Sequence, residues 1–176
     1  MERSAQSGPA AGGFTLIEVL VVVAIVAVLA TAVVISMPAS DARRAAREAD
    51  RFHALLALVC EQAELAGRSI GIHALADGYG FSIEIEEGWL PFPDSHRFRP
   101  RRLEGLALAV PGGALPALPP AEPVPMALCG ADGALTPFEL RFVHQGRVLQ
   151  RVRAGADGRA VREEAAADGR GWHGAG

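Results

Sequence analysis

The sequence contains no lysine, so all 17 of its basic residues are arginines, and it has only two cysteines in 176 residues. A phosphate-binding glycine-rich loop needs a lysine, and the motifs of zinc peptidases, dithiol redox proteins and serine hydrolases are absent as well. The five histidines are scattered without the spacing of metal ligands. The sequence therefore predicts a protein that is not an enzyme and that uses no cofactor, metal ion or small-molecule substrate.

Formal charge is also missing from residues 14–40, with the single exception of Glu18. As a helix, residues 14–37 are about 36 Å long, enough to cross a hydrocarbon core of about 30 Å. Pro38 ends or kinks this helix. A carboxylate inside a membrane costs about 2.5–3.5 kcal/mol at the centre. The pattern predicts a transmembrane segment over residues 14–37 in which Glu18 is either functional or reaches the headgroups.

Residues 1–13 are polar and small, and the small residues precede the apolar segment, whereas a secretory signal places its cleavage site after it. Cleavage after Gly13 would keep the apolar segment and create a new amino group on Phe14, one helical turn from Glu18. In a bundle, that amine and the carboxylate of a neighbouring chain would neutralise each other in low dielectric. We therefore expect residues 1–13 to be a leader and Glu18 to set the register between assembled helices.

An amphipathic helix is predicted over residues 38–67, which Gly67 ends as a C′ residue. Small and apolar residues recur at spacings of three and four and form one stripe. The stripe consists of Ala45, Ala49, Phe52, Leu56, Val59, Ala63 and Ala66.

A small antiparallel β domain is predicted over residues 68–162, because turn signals arrive every 8–12 residues after Gly67. Strands are expected over Ser69–Leu75, Tyr79–Glu86, Trp89–Phe92, Leu103–Val110, Phe138–Phe142, Arg147–Arg153 and Ala160–Arg162. The fold class is α+β, with the long N-terminal helix packed on two small sheets. Residues 163–176, rich in alanine, glycine and charge, are expected to be a disordered tail.

Two loops and the cysteine pair leave alternatives open. The arginine-rich loop Pro93–Arg102 is typical of a solvated loop, with an acidic protein partner as the next alternative; no nucleic acid is expected at a net charge of −3. Val110–Pro125, with its six prolines, is a semi-rigid connection. Cys60 and Cys129 form a disulfide in an oxidising compartment or remain two partly buried thiols, and their different settings favour free thiols.

Residues 13–18, Gly-Phe-Thr-Leu-Ile-Glu, resemble the leader junction of type IV pilins and type II secretion pseudopilins. Five further segments resemble the H-type minor pseudopilin (general secretion pathway protein H): Arg68–Ile72, Asp77–Phe81, Gly88–Trp89, Asp132–Leu140 and Gly155–Arg159. The resemblance implies a pilin-like fold, cleavage after Gly13 and N-methylation of Phe14 by a prepilin peptidase, and Glu18 as the assembly carboxylate. It also implies a pseudopilus that contains the major and other minor pseudopilins and that supports export of folded proteins across the outer membrane.

Two other functions stay open: a FimT-like minor pilin acting in type IV pilus assembly or DNA uptake, and a single-pass anchored periplasmic binding domain. The resemblance implies a bacterial inner-membrane protein, surrounded by lipid before assembly, whose C-terminal domain lies in the periplasm. The positive-inside rule opposes this orientation, because Arg43, Arg44, Arg47 and Arg51 follow the apolar segment and only Arg3 precedes it. The leader pattern is the more specific signal, and we expect the periplasmic orientation.

Overall fold

The computed structural model describes residues 15–118, 124–166 and 171–174, with backbone but not side-chain description at residues 30–39. The contacts between residues divide the chain into two compact units, Met1–Ser40 and Asp41–Gly176. The described elements are one helix, α1 (Leu16–Ala66), and ten strands: β1 (Ile70–Leu75), β2 (Gly78–Ile85), β3 (Gly88–Pro91), β4 (Arg101–Arg102), β5 (Ala107–Ala109), β6 (Ala127–Cys129), β7 (Phe138–His144), β8 (Arg147–Ala154), β9 (Ala160–Ala165) and β10 (Trp172–Gly174).

Helix α1 continues through Pro38, where the sequence predicted an end or a kink. Proline in a helix interior removes one backbone hydrogen bond and costs about 3 kcal/mol, and the backbone keeps its helical conformation despite this local cost. Within the described residues, no helix is both long enough and apolar enough to cross a membrane. The membrane segment predicted over residues 14–37 begins outside the described part of the chain.

The first sheet is antiparallel, with strand order β3-β2-β1-β6 and β4 paired to the other end of β2. Strands β1 and β2 form a hairpin that pairs Leu75 with Gly78 across the turn at residues 76–77. Its bounds agree with the predicted strands to within one residue. Gly78 must lack a side chain, since a Cβ there would lie 2.3 Å from the Arg101 carbonyl oxygen.

The second sheet has the order β10-β9-β8-β7-β5, also antiparallel. Strands β7 and β8 are joined at Gln145 and Gly146, which both have positive φ, 48° and 78°. Two consecutive residues of this kind are typical of a type I′ turn, whose twist matches that of the flanking strands. The prediction of two small antiparallel sheets is confirmed.

The hydrophobic core lies where both sheets meet the predicted stripe of α1. Phe52 is fully buried at its centre, with ring centroids 4.9 and 6.4 Å from Tyr79 and Phe81 of the first sheet, and 6.2 and 6.3 Å from Phe138 and Phe142 of the second. The other stripe residues that pack in the core are Ala45, Ala49, Leu56, Val59 and Ala63. Ala66 was expected in this stripe and is exposed, because it is the last residue of the helix.

The preference for two free thiols is wrong, since Cys60 and Cys129 form a disulfide. Helix α1 and strand β6 place their Cα atoms 5.0 Å apart, within the range that a disulfide requires. The bond joins the helix to the edge strand of the first sheet.

The expectation of a disordered tail from residue 163 also fails for the described residues. Strand β9 continues to Ala165 and pairs with β8, while β10 pairs with β9 at the sheet edge. Glu163 accepts hydrogen bonds from Arg151 and Arg153 at 2.6 and 2.9 Å, and the Arg151 guanidinium lies 4.0 Å from the centre of the Trp172 ring. These contacts depend on arginines of the preceding strand, β8.

Candidate assembly site

The start of α1 is capped by the sequence Thr15-Leu16-Ile17-Glu18. The backbone N–H of Glu18 donates to the Thr15 hydroxyl at 3.3 Å and to the Thr15 carbonyl at 3.0 Å. This is the serine/threonine half of a capping box, in which a glutamate or glutamine stands three residues after the cap. Glu18 also places negative charge in the first helical turn, where the helix dipole favours it.

Glu18 is exposed, as are all described side chains of residues 15–29. Large apolar residues on every face of this stretch are exposed, from 49% for Val21 to 83% for Leu16. Isolated surface hydrophobics are normal, whereas a continuous apolar surface of this kind marks an interaction site. The arrangement therefore presents one carboxylate in the first turn of a long apolar helical stretch whose described side chains are exposed.

The two residues at the predicted cleavage site, Gly13 and Phe14, lie outside the described residues, as does the predicted leader over residues 1–13. The structure therefore describes only Glu18 of the three predicted assembly residues. The capping interaction was not recognised in the sequence, although the Thr-x-x-Glu pattern that indicates it is present.

Three carboxylates of α1 bind groups of the β domain, which the sequence reasoning missed. Glu48 accepts two hydrogen bonds from Arg101, at 2.9 and 2.7 Å. Asp50 pairs with Arg162 at 2.6 Å, and Asp41 lies 3.3 Å from the imidazole Nε2 of His144. The hydrogen bonds from Arg101 hold the pKa of Glu48 below its ordinary value, against the opposing effect of burial.

The arginine-rich loop is largely engaged within the chain. Arg102 pairs with Asp77, and Arg97 donates to Gln62 of the helix at 2.9 Å. Phe98 of the same loop is fully buried. With Arg101 also bound to Glu48, the loop is a structural connection rather than a free basic surface.

A cavity of about 540 Å³ lies beside strands β1 and β2. Its walls are mostly apolar and include Leu75, Leu115, Pro116 and Met126. His73 lines it and hydrogen-bonds Ser82 at 2.5 Å, while burial lowers the pKa of its imidazole. Among the described residues, no group of three or more histidine, cysteine, aspartate or glutamate side chains is placed to hold a metal ion.

Residues 9–34 match the family model of the prokaryotic N-terminal methylation motif. Type II secretion system protein H of Pseudomonas aeruginosa is 32% identical over 159 residues, covering 85% of this chain and 92% of that protein. The protein of the same name from Escherichia coli K12 is 29% identical over 140 residues, with coverages of 76% and 82%. The crystal structure of the minor pseudopilin EpsH from the type II secretion system of Vibrio cholerae is similar with a TM-score of 0.57 and 26% identity, covering 68% of this chain and 93% of that one.

Proposed function

The chain belongs to the family of type II secretion system protein H, the H-type minor pseudopilins, and we propose that it joins the pseudopilus through the N-terminal part of α1. As a minor pseudopilin it is a structural subunit of the secretion system, and we assign it no catalytic activity. The named relatives belong to secretion systems, which favours this role over a FimT-like pilin or an anchored binding domain.

The observation that carries the proposal is the exposed Glu18 in the capped first turn of a helical stretch with exposed apolar side chains. In the proposed sequence of events, a prepilin peptidase cleaves after Gly13 and methylates Phe14. The new amino group of one subunit then pairs with Glu18 of its neighbour, the major pseudopilin or another minor one. In a low-dielectric environment, the attraction between this amine and this carboxylate is strong only when the two groups are in contact. Apolar helices alone can pack at many axial positions, so the charge pair selects one axial register between them.

We propose that residues 14–37 anchor the chain in the inner membrane before assembly, with the β domain in the periplasm. The disulfide between Cys60 and Cys129 supports this orientation, because disulfides persist in the oxidising periplasm and are rare in the cytosol. It outweighs the arginines that follow the segment, which by themselves favour the opposite orientation.

Intact-mass measurement of the chain extracted from membranes tests the processing. We expect a mature protein that begins at Phe14 and carries one methyl group. A protein that retains residues 1–13 would contradict the proposal, because the pairing amine would not exist.

The Glu18→Gln variant tests the charge pairing separately from helix capping. Glutamine can replace glutamate in a capping box but carries no charge, so we expect the variant to fold normally and to be lost from the pseudopilus, with secretion abolished. Thr15→Ala is the matched control: it removes the cap, costs about 1 kcal/mol of helix stability and should still assemble. Normal secretion by Glu18→Gln at native expression would show that capping, not charge, is the role of Glu18.

A further inference from the structure

Three arginines form a row on the free face of α1 within the Asp41–Gly176 unit. Arg43, Arg47 and Arg51, here called the arginine row, are spaced by four residues and are all exposed. Residues at this spacing lie above one another on one side of a helix. At 100° per residue, that side is opposite the stripe formed by Ala45, Ala49 and the other core residues of α1.

The carboxylates near the row in sequence are already engaged elsewhere. Glu48 and Asp50 stand three residues from Arg51 and Arg47 and would be natural i, i+3 partners, but they bind Arg101 and Arg162 of the β domain instead. Asp41, two residues before Arg43, lies against His144. The positive charges of Arg51 and Arg47 still lower the pKa of Glu48 through longer-range attraction. In the described part of the chain, no residue of the row forms a hydrogen bond or an ion pair of its own.

Within the described chain, the row therefore contributes only this longer-range attraction to Glu48 and no direct contact. Like charges at i, i+4 destabilise a helix by a few tenths of a kcal/mol. Arginines directly after the apolar segment also oppose the orientation proposed for this protein. The arginine row is thus unfavourable for helix stability and for membrane orientation. Another molecule that neutralises its positive charges would explain why it is present.

We propose that the arginine row binds a row of carboxylates on an adjoining pseudopilin subunit of the same filament. This rests on the proposed function, which brings a neighbouring subunit alongside α1. The partner surface that fits has acidic side chains about 6 Å apart, the spacing of i, i+4 residues on a helix. The planar guanidinium of arginine binds carboxylates in a bidentate manner, which favours this partner chemistry.

Anionic lipid headgroups are the other source of negative charge, and the length of the row argues against them. Residues 43–51 extend about 12 Å along the helix axis. The polar layer on each side of a bilayer is only about 5–8 Å thick. A helix leaving the membrane near the normal would place at most part of the row among headgroups, whereas a subunit lying alongside reaches all three arginines.

Co-purification of the full-length chain with each of the other pseudopilins of its secretion system tests the proposal. The variant Arg43→Glu/Arg47→Glu/Arg51→Glu should lose about tenfold or more of the bound partner at 0.15 M salt, with an unchanged melting midpoint. High salt should weaken the wild-type complex. The matched control is Arg68→Glu/Arg147→Glu/Arg159→Glu, which makes the same charge change at exposed arginines elsewhere and should keep the partner.

A photo-crosslinking residue at position 47 distinguishes the sources of charge. We expect a crosslink to a pseudopilin in membranes, and none from the same residue at position 147. Unchanged co-purification of the row variant overturns the proposal. The proposal is also overturned if the row variant keeps its pseudopilin partner but no longer floats with vesicles of phosphatidylglycerol and phosphatidylethanolamine. Lipid would then be the ligand of the row. The assembly mechanism is tested separately, by the intact mass of the processed chain and by secretion in the Glu18→Gln variant. Its failure can therefore be distinguished from failure of this proposal.

Discussion

Glu48 and Arg101 show how a single pair fixes the helix to the β domain. Both side chains are partly buried, with exposed fractions of 18% and 30%, and the pair is bidentate. Exposed ion pairs contribute about 0–1 kcal/mol, whereas charge-assisted bidentate pairs in partly buried settings are stronger. The lowered pKa of Glu48 means that folding favours its ionised form.

We expect Glu48→Gln to lower the free energy of unfolding by about 1 kcal/mol at neutral pH. Because the folded-state pKa is depressed, this stabilisation is present above the ordinary glutamate pKa of about 4.3 and is lost as the pH falls through the folded value. Denaturant unfolding of wild type and variant between pH 3 and 8 measures it. The difference should be constant from pH 6 to 8 and shrink below pH 4; a difference that persists at pH 3 would argue for lost packing instead.

At the scale of elements, α1 supplies one side of the core and the two sheets supply the other. Phe52 contacts aromatic residues of both sheets, so neither sheet is packed without the helix. The disulfide adds a covalent link between α1 and β6 across a sequence separation of 69 residues. The segment that it closes contains β1 to β5, and hence most of the first sheet.

Removing this link by Cys60→Ala/Cys129→Ala should destabilise the domain. Closing a loop of this length restricts the unfolded chain by roughly 4 kcal/mol in the chain-entropy model, and measured losses are about 2–5 kcal/mol. Thermal unfolding with and without reductant provides the test: reductant should lower the melting midpoint of the wild type and leave the double variant unchanged. Equal midpoints for oxidised and reduced wild type would show that the bond contributes no stability.

At the scale of the whole molecule, the two units differ in what surrounds their side chains. The side chains described for residues 15–29 are exposed, whereas the core lies entirely within Asp41–Gly176. A unit that carries its own core and its own disulfide has what independent folding requires.

We therefore expect a chain beginning at Ser40 to fold without the apolar segment and to remain soluble without detergent. Its melting midpoint should match that of the full-length protein in detergent, measured by circular dichroism. Phe52→Ala in the same shortened chain is the control, with an expected loss of about 3–5 kcal/mol. An unfolded or aggregated shortened chain would show that residues 1–39 contribute to the fold.

The sequence by itself determined the features that depend on local patterns. The apolar run with Glu18, the stripe from Ala45 to Ala63 and the β1–β2 hairpin follow from helical periodicity, strand alternation and turn residues, each readable within a short window. The α+β class and the pseudopilin family followed from these and from motifs equally local.

Tertiary structure alone decided which distant residues meet. Sequence spacing does not tell whether Cys60 lies 5.0 Å from Cys129 or whether Glu163 contacts Arg151. The disulfide was therefore misjudged, and so were the end of β9 beyond Arg162 and strand β10. The same holds for the arginine row, since the nearby carboxylates of α1 were equally able to pair along the helix. These carboxylates pair with the β domain instead. Side chains interact with the groups that lie close to them in the folded chain, and a sequence pattern does not contain that spatial information.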